Sequence, residues 1–257
     1  MNIHPSAIIH ERAQLGDNVT VGAFSIIGEH VAVGSNCVIG AHVVLDGWTE
    51  IGERCEFYTG VVIGSPPQDL KYAGEETRVV IGHRNVFREY VTVNRGTAQG
   101  GGVTRMGDDC LMMAYAHVAH DGHVGNHVIM ANCVAMSGHV TIEDYAIVGG
   151  LSGIHQFVRL GAHCIIGGCS GVSQDVPPYV VASGERAKVY GLNSVGLKRR
   201  NFSEESLKAL EKAHRLLFRS KLNLSHAIER VRSDVPMCAE VQHLLEFIEQ
   251  SERGICR

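Results

Sequence analysis

The sequence predicts an all-β solenoid of short parallel strands, followed by a small α-helical domain. Three observations support this prediction. An apolar residue returns every six positions from Ile3 to Ile63 and again, in a shifted frame, from Met106 to Val172. Neither the 3.6-residue period of a helix nor the two-residue period of a strand fits this pattern. The hexads stop at Pro177-Pro178, and apolar residues recur at helical spacing after Ser203.

A six-residue repeat is typical of a parallel β-helix, in which each hexad supplies one short strand and one corner. Three hexads form a triangular coil, so residues 18 apart stack on neighbouring coils at a spacing of about 4.8 Å. The apolar positions point inward, and stacking buries them because no single coil can do so. Glycine follows the apolar residue in several hexads, as at Gly22 and Gly34. We attribute it to the backbone angles of a tight corner. The chain of 257 residues allows roughly nine coils.

Two polar segments interrupt the hexads. The first, residues 69–80, reads DLKYAGEETRVV; the second, residues 99–105, reads QGGGVTR, after which the frame shifts by one. Segments that interrupt a solenoid form loops that project from it, and such loops often carry function. The first is the stronger functional candidate because it contains Asp69, Lys71 and Tyr72.

The predicted domains are a β-helix over residues 1–185 and a helical domain of about three helices over residues 186–257. Ser203, followed by two glutamates, suits the start of a helix. Pro236 suits the first turn of the last helix, and Gly254 suits its end.

Composition excludes several classes of function. The net charge of −4 gives no reason to expect nucleic-acid binding, and no stretch of 18 apolar residues suggests a membrane span. The first residues lack the basic start and apolar run of a signal peptide, so we expect a cytoplasmic protein. Its eight cysteines are then reduced packing residues. The flat faces of the thin solenoid favour oligomerisation.

Histidines cluster in the segment AHVAHDGHVG, which contains His117, His120 and His123. Eighteen residues after His120 comes Gly138, beside His139, and eighteen later comes Gln156, beside His155. The 18-residue coil therefore predicts that these residues lie along one corner on three successive coils. Asp121 follows His120 directly, and a nearby carboxylate could orient or polarise the imidazole. Adjacent residues of an extended strand point apart, however, so the sequence gives only weak support for this pairing.

Three interpretations of this cluster remain open. The histidines could be solvated corner residues without a role. They could bind zinc between subunits, as three histidines can. They could also supply a general base, since a neutral imidazole can take a proton from a hydroxyl near neutral pH. A further basic group at Lys198, Arg199 and Arg200 is either a solvated approach to a helix or a phosphate site.

Five segments carry a resemblance that runs along nearly the whole chain: QDLKYAGE (68–75), HVAHDGHVG (117–125), GIHQFVRLGAH (153–163), GGCSGVSQDVPPYV (167–180) and GLKRR (196–200). In this order they resemble the UDP-N-acetylglucosamine acyltransferase family. The resemblance implies a left-handed coil and a homotrimer with active sites between subunits. It implies transfer of a 3-hydroxyacyl group from acyl carrier protein to the glucosamine 3-hydroxyl of UDP-N-acetylglucosamine, the first step of lipid A biosynthesis. It implies no metal and no other cofactor, because phosphopantetheine enters on the carrier protein.

The resemblance also implies residue roles. His120 is the general base, and the Gly138 amide is the oxyanion donor. Gly168 sets the length of the acyl chain, and its missing side chain predicts a long chain of about fourteen carbons. The substrate-binding positions that the family motifs match are Asp69, Lys71, His117, His139, His155, Gln156, Asn193, Arg199 and Arg200.

Two departures from the family pattern leave alternatives open. Asn94 stands where a His is frequent, and Val195 stands where a Glu is frequent, so a 3-amino sugar acceptor is conceivable. Another alternative is the N-acyltransferase of a later lipid A step, although hexads that begin at Ile3 leave no room for its usual N-terminal domain. Alternatives of other classes are a zinc-dependent hydratase of the γ-carbonic anhydrase type and a non-catalytic hexapeptide scaffold.

Overall fold

The computed structural model describes residues 1–257. Its first 14 strands are β1 Asn2–Ile3, β2 Ile8–Ile9, β3 Gln14–Leu15, β4 Thr20–Val21, β5 Ile26–Ile27, β6 Val31–Val33, β7 Val38–Ile39, β8 Val44–Leu45, β9 Trp48–Ile51, β10 Glu56–Phe57, β11 Val62–Ser65, β12 Arg78–Ile81, β13 Val86–Phe87 and β14 Thr92–Asn94. The next 14 are β15 Val103–Met106, β16 Leu111–Met112, β17 His117–Val118, β18 His123–Val124, β19 Ile129–Met130, β20 Ala135–Met136, β21 Thr141–Ile142, β22 Ile147–Val148, β23 Gly153–Ile154, β24 Arg159–Leu160, β25 Ile165–Ile166, β26 Gly171–Val172, β27 Val180–Ser183 and β28 Lys188–Leu192.

Every third strand pairs in parallel, so the chain visits three sheets in turn. The first sheet contains β1, β4 and their successors, the second contains β2 and β5, and the third contains β3 and β6. We name the corner between the first and second sheets the first corner, that between the second and third the second corner, and that between the third and first the third corner. The predicted parallel strands at a hexad period are confirmed.

The apolar hexad positions form the core. All twelve positions from Met106 to Val172 are buried, whereas Ile3 is 42% exposed because no coil lies beyond it. Phe57 and Phe87 stack across neighbouring coils with ring centroids 5.0 Å apart. Such an aromatic pair contributes about 1 kcal/mol beyond the area that it buries.

The explanation of the hexad glycines was wrong. The left-handed backbone angles belong to residues such as Asn18 and Phe24, each at φ 58°. Gly22 is required by packing instead, because a Cβ there would lie 2.6 Å from the carbonyl carbon of Gly40 on the next coil. Short distance between coils, not corner geometry, therefore selects glycine at this position.

Both loops project at the second corner, and both begin and end earlier than predicted. Residues 78–80, expected in the first loop, belong to β12, and residues 103–105, expected in the second, belong to β15. Trp48 pairs with Arg78, and Arg78 pairs with Val103. The loops therefore span 66–77 and roughly 95–102, because the apolar residues at their ends complete strands of the third sheet.

Strand β28 pairs antiparallel with β27, so the β-structure extends past residue 185. The helices are α1 Ser194–Arg199, α2 Glu204–His214, α3 Leu224–Asp234 and α4 Ala239–Glu249, with a π-helical turn at Arg215–Arg219. Ser203 caps α2 through a bond to the Ser206 amide, as predicted. Pro236 and Gly254 lie outside α4, so their expected roles at its first turn and end were wrong. The longest helices have 11 residues, too few to cross a membrane.

The helical part has its own apolar core and contacts the coil at three places. Phe218 packs against both cores. The Tyr179 hydroxyl and His243 Nδ1 lie 2.8 Å apart, and His243 Nε2 lies 3.0 Å from a Glu143 carboxylate oxygen of the coil. At the chain end Cys256 is buried in the coil core. The helices therefore sit over the last coils.

Candidate active site

The second corner places an imidazole against a buried carboxylate. His120 Nδ1 lies 2.8 Å from Asp121 Oδ2, and the Asp121 side chain is fully buried while that of His120 is 15% exposed. The expectation that these neighbours point apart was wrong. Asp121 has φ 57°, because it occupies the left-handed corner position and not an extended strand. An ionised Asp121 requires the proton on Nδ1, which leaves His120 Nε2 free to act as a base.

The second loop holds the Asp121 carboxylate. The Thr97 amide donates to Oδ1 at 2.9 Å, and the Thr97 hydroxyl donates to Oδ2 at 2.6 Å. The Asp121 amide in turn donates to the Thr104 hydroxyl at 2.9 Å. A carboxylate that accepts several hydrogen bonds is fixed in position. Thr97 thereby helps to orient His120 indirectly, through the Asp121 carboxylate.

Gly138 lies directly against the His120 ring, as the coil arithmetic predicted. A Cβ on Gly138 would lie 2.6 Å from Cε1 and 2.7 Å from Nε2 of His120. Only glycine permits this close approach. The Gly138 N–H donates to no backbone carbonyl of the chain. This corner therefore presents a basic nitrogen and an unused amide donor side by side.

His139 adds a second imidazole. Its ring stacks on Phe157 with centroids 4.5 Å apart and meets the His120 ring edge-on at 5.2 Å. Burial lowers the pKa of His139, as does neighbouring His120, while Asp121 and Asp69 oppose this shift. The His139 imidazole is therefore mainly neutral at neutral pH. Gln156 lies exposed beside Phe157.

A cleft of about 500 Å³ opens beside these rings. The first loop contributes Asp69 and Lys71 to it, and the second loop and the corner complete it with Thr97, Gln99, Gly100, His139 and Phe157. The structure thus brings the two predicted loop residues to the predicted histidine corner.

The outer face of the second sheet forms a shallow trough from this corner. Facing residues His117, Ala135, Gly153 and Gly171 pair in register on successive coils. Beyond His117 the side chains are small, and His155 lines the trough in a cleft of about 450 Å³. His117 Nδ1 lies 2.7 Å from the Thr92 hydroxyl, and burial lowers the pKa of His117. Gly168 lies at the first corner, on the far side of this sheet.

The remaining predicted residues lie at the third corner, away from His120. Asn193 caps α1 through Oδ1, which accepts from the Gly196 amide at 3.1 Å, and its Nδ2 donates to the His163 carbonyl at 2.9 Å. The Arg200 guanidinium lies 4.3 Å over the Tyr145 ring, and Arg199 is exposed. One subunit therefore does not bring these residues together with His120.

The two residues that depart from the family pattern differ in solvent exposure. Asn94 is only 4% exposed and donates to the Pro66 carbonyl at 3.1 Å, so it lies under the first loop and not in the open cleft. Val195 is 63% exposed in the first turn of α1. Sequence reasoning missed Thr97 and Phe157, since neither residue type signals a site, and it undervalued Asp121.

Known proteins match this chain along its whole length. Residues 175–256 match the family described as Udp N-acetylglucosamine O-acyltransferase; Domain 2, and residues 12–47 match the bacterial transferase hexapeptide (six repeats). An acyl-[acyl-carrier-protein]--UDP-N-acetylglucosamine O-acyltransferase of Thermodesulfovibrio yellowstonii is 52% identical over 255 residues, covering 99% of each chain. The corresponding protein of Syntrophobacter fumaroxidans is 51% identical over 258 residues, covering 100% of each chain.

Solved structures agree. The UDP-N-acetylglucosamine acyltransferase LpxA of Bacteroides fragilis superposes with a TM-score of 0.96 at 40% identity, and LpxA of Acinetobacter baumannii with 0.96 at 42%. Each comparison covers 99% of both chains. The resemblance seen in the sequence motifs is confirmed, and the chain belongs to the acyl-[acyl-carrier-protein]--UDP-N-acetylglucosamine O-acyltransferase family.

Proposed function

We propose that this protein transfers a 3-hydroxyacyl group from acyl carrier protein to the glucosamine 3-hydroxyl of UDP-N-acetylglucosamine, the first step of lipid A biosynthesis. The observation that carries the proposal is the His120–Asp121 pair beside the unused Gly138 amide, in a chain 52% identical to a named acyltransferase along its length. A neutral imidazole and an amide donor are the two groups that acyl transfer to a hydroxyl requires.

In the proposed mechanism His120 Nε2 takes the proton of the sugar 3-hydroxyl as its oxygen attacks the thioester carbonyl carbon. The Gly138 N–H donates to the oxyanion of the tetrahedral intermediate. The intermediate then collapses, the carbon–sulfur bond breaks, and the thiolate of phosphopantetheine takes the proton from His120. The chain's own groups account for every proton, and Asp121 stabilises the imidazolium between the two transfers.

The proposal assigns the other residues by position. Asp69 and Lys71 hold the sugar nucleotide from the first loop, with His139 and Gln156 beside them, while His117 and His155 face the trough. Arg199 and Arg200 bind the diphosphate from a neighbouring subunit, and Asn193 fixes the start of the helix that presents them. We propose with it a homotrimer of left-handed coils that has its sites between subunits and works in the cytoplasm.

Replacing His120 with Ala tests the proposal. Because a general base usually contributes a factor of about 100 or more, we expect kcat to fall by at least that factor. The assay measures acylation of UDP-N-acetylglucosamine with 3-hydroxyacyl carrier protein by mass spectrometry. His42→Ala, a change of the same kind at the exposed first corner, should leave kcat unchanged. Turnover of the His120 variant within about tenfold of wild type would contradict the assignment. Running both 3-hydroxy and 3-amino sugar nucleotides decides between O- and N-acylation.

One observation keeps a metal-dependent alternative in view. Ligand atoms of His120, Asp121 and His139 lie within 4.8 Å of one another. Asp121 Oδ2, however, already accepts from Thr97 and from His120, so a cation would have to displace the hydrogen bonds that orient the base. Metal analysis of active protein decides the matter: about one zinc per subunit, lost together with hydratase activity on chelation, favours the hydratase.

A further inference from the structure

The loop of residues 66–77, here named the acceptor loop, has few internal contacts that would hold its conformation. Lys71 is exposed and Asp69 is half-buried, and Leu70 between them makes almost no contact. Its internal hydrogen bonds are local: the Lys71 amide donates to Asp69 Oδ1 at 3.0 Å, and the Tyr72 hydroxyl donates to the Glu75 carbonyl at 2.7 Å. A loop that must place two binding side chains therefore needs anchors elsewhere.

Three consecutive residues supply those anchors. Asn94 Nδ2 donates to the Pro66 carbonyl at 3.1 Å, where the loop begins. Arg95 Nε donates to the Tyr72 hydroxyl at 3.0 Å, in the middle of the loop. The Gly96 amide donates to the Arg78 carbonyl at 3.3 Å, where the loop has ended. Entry, middle and exit of the acceptor loop are thus all tied to residues 94–96.

Arg95 is the central anchor, and its burial is unusual. The residue is 9% exposed, its Nη1 donates to the Gly64 carbonyl at 2.7 Å, and its guanidinium lies 5.5 Å from the Tyr72 ring centre and 5.8 Å from that of Trp48. All of these partners are neutral. A buried cation is costly unless hydrogen bonds compensate it. The planar guanidinium can reach the strand end and the loop at once, which the single ammonium of a lysine cannot.

The chain then continues directly to the base. Thr97, next after Gly96, donates twice to the carboxylate of Asp121. Four consecutive residues therefore contact both the loop that presents Asp69 and Lys71 and the carboxylate that orients His120.

We propose that residues 94–97 are a positioning segment that sets the acceptor loop against the base, with Arg95 and Tyr72 determining affinity for the sugar nucleotide. This inference rests on the proposed function for its ligand. It assigns neither Arg95 nor Thr97 a contact with substrate: Arg95 acts through Tyr72, and Thr97 acts through Asp121.

The first test is Tyr72→Phe, which removes only the hydroxyl and leaves the ring and the coil intact. A hydrogen bond to a charged group supports about a tenfold effect or more. We expect KM and the calorimetric Kd for UDP-N-acetylglucosamine to rise about tenfold, with kcat within about threefold of wild type. Tyr90→Phe is the matched control, since Tyr90 is exposed at the first corner and its hydroxyl makes no hydrogen bond in the chain.

Two further variants separate positioning from general stability. Arg95→Lys should also weaken binding, and the loss in the double variant should be smaller than the sum of the two single losses, because both changes remove the bond between Arg95 and the Tyr72 hydroxyl. Thr97→Val should show the opposite split, a kcat about tenfold lower with KM near wild type. Unchanged binding in Tyr72→Phe, or fully additive losses, would overturn the inference. Binding is measured without turnover, so a wild-type protein that binds the sugar nucleotide but transfers no acyl group would contradict the proposed function alone.

Discussion

At the residue scale, the decisive feature is a carboxylate that solvent does not reach. Asp121 accepts from the Thr97 amide and hydroxyl and from His120 Nδ1, all within 2.9 Å. The carboxylate fixed by these hydrogen bonds holds the His120 ring in a single tautomer and orientation. A corner residue with positive φ can turn its side chain towards its predecessor, as an extended residue cannot.

Replacing Asp121 with Asn tests this function. The amide keeps the volume but turns a donor towards Thr97 or His120, so the productive tautomer is lost. We expect kcat to fall by about 100-fold or more while KM for the sugar nucleotide changes little. Asp109→Asn is a matched control, because Asp109 is also a corner aspartate with positive φ but pairs with Arg84 at a different corner. Steady-state kinetics of the two variants decide the matter, and a kcat within threefold of wild type for the Asp121 variant would refute the role.

The 18-residue period was sufficient to place His120 against Gly138, because residues 18 positions apart stack on neighbouring coils of a regular solenoid. It was insufficient for Thr97, since that residue lies in a loop whose path depends on contacts distant in sequence. The same holds for Asn193. The family motif predicted that Asn193 contacts the nucleotide. In the structure both polar atoms of its side chain form hydrogen bonds with other residues of the same chain.

At the scale of elements, the second sheet lies between the histidine corner and the first corner, and small residues occupy its outer face on successive coils. Gly168 lies at the first corner, just before β26 of this sheet, where a Cβ would be less crowded than at the neighbouring Gly149. A Cβ there would meet the Gly150 carbonyl oxygen at 3.2 Å and little else. At Gly149, by contrast, a Cβ would lie 2.5 Å from the Gly168 backbone nitrogen. The space left by the absent side chain at Gly168 is therefore open to the end of an acyl chain.

We expect Gly168→Met to shift donor preference towards shorter 3-hydroxyacyl chains, because the side chain would occupy the end of the trough. Competition between carrier proteins loaded with short and long chains, resolved by product mass, measures the shift. The melting temperature should stay close to that of wild type, which separates pocket filling from damage to the coil. Gly191→Met is the control, since a Cβ at Gly191 meets nothing within 4 Å. An unchanged preference in the Gly168 variant would exclude Gly168 as the residue that sets chain length.

The two loops explain which element boundaries the sequence could predict. The first loop adds twelve residues to a coil, a whole number of hexads, so the apolar frame continues unchanged beyond it. The second adds seven, which produces the observed shift by one. The loop ends were misplaced because Val79 and Val103 fit a loop or a strand equally well in sequence. Pairing decides in favour of a strand, because Val79 pairs with β9 and Val103 pairs with β12.

At the scale of the whole molecule, the proposed site is divided. His120, Gly138 and the acceptor loop lie at the second corner, whereas Arg199 and Arg200 lie at the third, with the third sheet between them. A rigid coil cannot fold one corner onto another. If both groups bind one substrate, the second corner of one subunit must therefore face the third corner of another, and a closed ring of subunits repeats this contact at every interface.

Mixed oligomers test this division directly. One variant carries His120→Ala, the other carries Arg199→Ala and Arg200→Ala, and each alone should be nearly inactive. After joint unfolding and refolding at equal amounts, a site that draws on two neighbours regains both functional halves in roughly one quarter of cases, as expected for random cyclic assembly. Activity near that fraction of wild type supports a shared site. Activity no higher than that of the separate variants would indicate that each site takes its base and its arginines from the same subunit. Mixing without unfolding is the control, and its activity should stay at the level of the separate variants.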